Sequence, residues 1–122
     1  MDWEITHNEL KKAVIISVTG KIVNEELTQM AIEGVTFAGE IKCTKCLIDY
    51  TAVEASDDIF DTFEFMTHLD DLGLQHSDKV AVLYNTDVDY HKFAETVAYN
   101  RGWSNIMYFM NAEQAWQWLE EQ

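Results

Sequence analysis

The chain has 122 residues, 48% of them apolar, with six Phe, five Tyr and four Trp. That is enough for one sizeable core and too apolar for disorder, so one domain over residues 1–122 is expected. Lys plus Arg number 8 against 22 Asp plus Glu, a net charge of −14; such a field repels phosphate backbones and anionic membranes and argues against nucleic acid as a partner.

The acidic residues are spread evenly, 12 in positions 1–61 and 10 in the rest. This reads as a solvated surface that suits solubility or a basic protein partner. No apolar run approaches the ~20 residues of a membrane span, so no membrane insertion is expected. The start "MDWEITHNEL" lacks the basic and apolar parts of a signal peptide. The expected compartment is the cytoplasm, where Cys43 and Cys46 would stay reduced.

"WEITHNE" alternates apolar and polar residues like an edge strand, and "KKAVIISVTG" follows with a nearly continuous apolar centre at 13–18. Such a run reads as a strand covered on both faces, and the two are close enough to form a hairpin. "NEELTQMAIEGV" reads as a helix with Asn24 as N-cap, Glu25 and Glu26 in the first turn, and Leu27, Met30, Ala31 and Val35 as its stripe. "CLIDY" is the next buried strand. "SDDIFDTFEFMTHLDDLG" is the next helix, capped by Ser56 or Asp57 and ended by Gly73. "KVAVLY" is a third buried strand, "TDVDYHKFAETVAYNRG" a helix with Phe93, Val97 and Ala98 inward, "NIMYFM" a last strand and "NAEQAWQWLEE" a last helix. The order β-β-α-β-α-β-α-β-α implies an α/β domain with a mostly parallel sheet. In such sheets sites gather beyond the carboxyl ends of the strands.

That order, with a buried strand ending in "LIDYTAV" and a helix just after it, resembles the STAS domain of SpoIIAA-like anti-sigma-factor antagonists. The second half, from "KVAVL" through "FAETVA", "RGW" and the strand end "YF" to "AWQWL", is similar to the SpoIIAA-like branch grouped with CRAL-TRIO lipid-transfer domains. The resemblance covers residues 14–119 and rests mainly on packing residues. It implies the SpoIIAA-like (STAS) fold, a mostly parallel five-stranded sheet with four helices and an antiparallel first strand. In the switch members of that family, a serine near the start of the helix after this strand is phosphorylated by a partner kinase. Laid on that pattern without gaps, Asp58 takes the serine's position and Ser56 is the closest hydroxyl. A fixed carboxylate at Asp58 would imitate part of a phosphate's charge; capping of helix amides by Ser56, Asp57 and Asp58 accounts for the same residues.

Other constellations have plainer accounts. "CTKC" precedes a strand, whereas a reactive pair opens a helix, and no second pair completes a zinc site. Asp61, Glu64, His68 and Asp71 share a helix region, as chance provides in so acidic a chain. Asp87, Asp89 and His91 lack the glycine and terminal Glu of a calcium loop. No nucleophile elbow or phosphate-cradling loop is legible. A non-enzymatic protein is expected, with no catalytic, cofactor or metal residues assigned.

The informative feature is excess apolar surface at 59–72. Ile59, Phe63, Met66 and Leu69 form one predicted stripe, with Phe60 and Phe65 on its flanks, more than one sheet face requires. The leading expectation is therefore an interaction module, a homodimer or a partner-binding regulator, working through this helix and Ser56, Asp57 and Asp58. The alternative is a lipid or other apolar small molecule held between this helix and the one at 87–100, with Phe63, Tyr90 and Phe93 in the wall. A third reading is a switch through Ser56. Trp116 is expected in the core and Trp118 outside it.

Overall fold

The computed structural model describes residues 1–121. Strand β1 (Asp2–Asn8) pairs antiparallel with β2 (Ala13–Lys21), bringing Trp3 opposite Val18 and Ile5 opposite Ile16. Then follow α1 (Asn24–Glu40), β3 (Lys45–Glu54), α2 (Ile59–Thr67), a 3₁₀ turn (Leu69–Leu72), β4 (Lys79–Leu83), α3 (Val88–Asn100), β5 (Ile106–Phe109) and α4 (Ala112–Glu120). The strands lie in sequence order, β1-β2-β3-β4-β5, and all pairs after the first are parallel. No helix among the described residues is long and apolar enough to cross a membrane.

Each parallel strand is added on the same side of the last. A right-handed crossover repeated in one direction puts every connecting helix on one face, and α1, α2 and α3 share one core with Val14, Ile16, Val18, Val80 and Val82. Among the described residues only α4 covers the other face, where Ala115 and Leu119 meet Leu47 and Ala81. The expectation that the strands are covered on both faces therefore holds for β4, with Val80, Ala81 and Val82 all buried, and not for β2, whose Ser17 and Thr19 are exposed. Trp118, expected outside the core, packs against it: its ring lies 5.7 Å from that of Phe109, and the Lys79 ammonium sits over it.

Helix α1 runs past the predicted span because Gly34, poor in isolation, is held by packing: a Cβ there would meet Ile16 Cδ1 at 3.0 Å, so the missing side chain lets the helix lie close on β2. Asn24 is its first residue and Val23 the N-cap, without a side-chain cap bond. Helix α2 is shorter than predicted. It ends at Thr67, His68 breaks it, and the 3₁₀ turn closes on Gly73 at φ 90, the left-handed conformation that makes glycine the natural stop.

Candidate functional site

The loop after β3 is built by short polar bonds. The Ser56 hydroxyl accepts from the Asp58 amide at 3.2 Å. Asp58, not Ser56 or Asp57, caps α2: its Oδ1 accepts from the Phe60 amide at 2.9 Å. Asp57 is exposed and bonds Lys21, whose pKa rises chiefly through that bond; a pair so open to water adds little stability. Asp87 does not cap α3 with its side chain; it adopts φ 56 and its carboxylate accepts from the Ala55 amide at 3.2 Å. That bond ties the loop after β3 to the start of α3.

The buried side of α2 is turned by about one position from the predicted stripe. Thr62, Met66 and Leu69 are buried and Phe65 packs with them, an i, i+3, i+4, i+7 set. The turn is fixed by the hydroxyl bond between Thr62 and Tyr90 across the α2–α3 contact. Ile59 and Phe63, predicted to face inward, stay 42% and 40% exposed, and Phe60 is 78% exposed. These three share one outward face. Arg101, just past the end of α3, lies over the Phe63 ring at 5.4 Å. The result is an apolar rim at the carboxyl edge of the sheet, flanked by Asp57, Asp58 and Asp61.

The predicted pocket between α2 and α3 is closed. Between them Thr62 bonds Tyr90, Phe93 packs on the core, and only about 20 Å³ is left free. His91 is buried there, its ring 4.8 Å from Tyr84 and 5.2 Å from Tyr90. Burial lowers its pKa, with Asp87 acting in the opposite sense.

A cavity of about 370 Å³ lies instead on the other side of α2, between it and α1. Ile16, Ile48, Val80 and Val82 form its floor, Met66, Leu69 and Leu72 its roof, and Ala31, Val35 and Ala38 its α1 wall. Its mouth is at the amino edge of the parallel strands, by Lys42, Thr44, Gln75 and Asp78. Cys43 and Cys46 are free thiols that both border it. Desolvation against the apolar walls, with Cys43 beside it, pushes the Cys46 thiol up to about 12, which favours its protonated form at neutral pH.

Of the predicted residues, Ser56, Asp57, Asp58 and Phe60 gather with Phe63 at the rim. Phe65 and Met66 turn away from it to line the cavity, and Tyr90 and Phe93 are packing residues of α3. The α1 side of the cavity was missed, although Ala31, Gly34 and Ala38 are small residues at helical spacing. His68 is taken up by surface bonds, to Glu64 at 3.2 Å and Asp71 at 3.2 Å.

Neither a family model nor a curated protein matches the chain by sequence. Solved structures match it in shape. An anti-sigma factor antagonist from Mycobacterium paratuberculosis is similar with a TM-score of 0.67 and 12% identity, over 98% of this chain and 94% of that one. The anti-sigma factor antagonist SpoIIAA in its unphosphorylated form gives a TM-score of 0.51 and 11% identity, over 93% and 94%. At such identities the likeness speaks for the backbone arrangement and not for the residues of the rim or the cavity. In architecture, then, this chain is an α/β protein of the SpoIIAA-like (STAS) fold shared with those antagonists.

Proposed function

We propose that the chain is a non-enzymatic regulatory module that binds another protein through the carboxyl-edge rim, with a second copy of itself as the first partner. The observation that carries this is the outward face of α2: Ile59, Phe60 and Phe63 stand together in solvent, Phe60 at 78% exposure. Phenylalanine is enriched at interface cores, and a buried aromatic anchor carries much of the binding energy. The fold shared with anti-sigma factor antagonists supports a protein partner. Ser56, Asp57 and Asp58 border the rim and would set its polar edge. Phe60 makes no core contact, so Phe60→Asp is expected to leave the circular dichroism spectrum unchanged and to lower the mass measured by light scattering. A monomeric wild type removes self-association; a basic protein partner then remains to be sought by crosslinking from the rim.

A second reading, binding of an apolar small molecule, is favoured by the cavity of about 370 Å³ between α1 and α2, within the size range of ligand pockets.

A further inference from the structure

We propose that this cavity holds one unbranched aliphatic chain of roughly a dozen carbons, its polar head remaining at the mouth beside Lys42, Thr44 and Gln75. The inference rests on the apolar-ligand reading and names its chemistry. Protein interiors are close-packed, with few voids larger than a water molecule, so an open space of about 370 Å³ between two helices and a sheet is not ordinary packing. The sequence builds it by unequal filling. Beyond Met30, the α1 wall carries the smaller Ala31, Gly34, Val35 and Ala38, while Phe65, Met66, Leu69 and Leu72 sit in the roof. One result is visible at the middle of the sheet, where Cys46 and Ile48 on β3 keep accessible surface beneath a helical layer.

The shape favours a chain over a compact ring system. Floor residues come from β2 (Ile16), β3 (Ile48), β4 (Val82) and β5 (Tyr108), a trough across three interstrand spacings, roughly 14 Å. With a water's share of liquid volume at about 30 Å³, and a methylene of similar size, the space takes roughly a dozen such units. A lipid with two long chains exceeds it. The interior offers hardly any charge, because Lys79 turns to the other face to bond the Trp118 and Glu121 carbonyls, and Asp78 is engaged by the Gln75 amide at 2.9 Å. Lys42 and Lys45 are the lining cations left near the opening, so a head that bonds an ammonium or an amide fits the mouth.

The test uses delipidated full chain, titrated calorimetrically with dodecanoate, dodecan-1-ol and the rigid fluorescent probe 1-aminoanthracene. Wild type is expected to take up one equivalent of a C12 chain, the better of the two heads identifying the group at the mouth. Ala38→Phe, which fills the α1 wall, is expected to weaken uptake about tenfold or more with an unchanged circular dichroism spectrum; Val35→Phe serves if that variant does not fold. Uptake of aminoanthracene without either chain overturns the chain proposal and leaves the apolar-ligand reading standing. Uptake of none overturns both. Chain binding undiminished in a folded filled variant places it elsewhere and overturns the proposal.

Discussion

His91 shows how a side chain read as part of a helix start becomes a core residue. It opens the second turn of α3, and the left-handed Asp87 before that helix aims it under α2, among the rings of Tyr50, Tyr84, Tyr90 and Tyr108. Burial disfavours its charged form, so its pKa in the folded chain lies below that of the unfolded chain. A group shifted in this direction contributes stability in full above the unfolded value, about 6.5, and loses it as pH falls through the lowered folded value. The urea midpoint of the wild type is therefore expected to fall between about pH 7 and pH 5.5, above the range where carboxylates protonate. His91→Gln is expected to be less stable at neutral pH and flatter across that window. Equal slopes for the two proteins would show that the imidazole does not govern the change.

At the scale of elements, α2 depends most on local chemistry, because its outer face gains little from packing. Its start rests on the Asp58 carboxylate at the Phe60 amide. Removing a cap of this kind costs about 1 kcal/mol. Asp58→Ala is expected to lower unfolding stability by that amount in urea titrations, whereas Asp57→Ala, which removes only an exposed pair with Lys21, is expected to change it little. The order and type of every strand and helix were legible because buried strands and amphipathic helices repeat at different periods. The rotation of α2 was not. Ile59, Phe63, Met66 and Leu69 give as good a helical stripe as Thr62, Phe65, Met66 and Leu69, and the choice is made by Thr62 bonding Tyr90, a contact 28 positions away. The cavity was hidden for the same reason: whether the small residues of α1 draw a neighbour close or leave a gap depends on what stands opposite. The rim was partly legible, since seven large apolar residues in 59–72 exceed what one buried stripe can use.

For the whole molecule the governing quantity is a net charge of −14 on 122 residues. Like charges at this density oppose both compaction and the approach of a second copy. Salt shortens their reach from about 30 Å at 0.01 M to about 8 Å at 0.15 M. Melting temperature and light-scattering mass are both expected to rise over that range, and a mass that falls instead would mean that the association is held by ion pairs and not by Phe60. The pairing pattern also decides by which route copies of the chain can join. At one border of the sheet β1 sets Asp2 and Glu4 outward, and at the other β5 has only four residues; acidic side chains and shortness both discourage a further strand from adding on. With lengthening of the ribbon disfavoured at either margin, growth by backbone pairing into fibres is disfavoured too, and contacts between molecules fall to side chains.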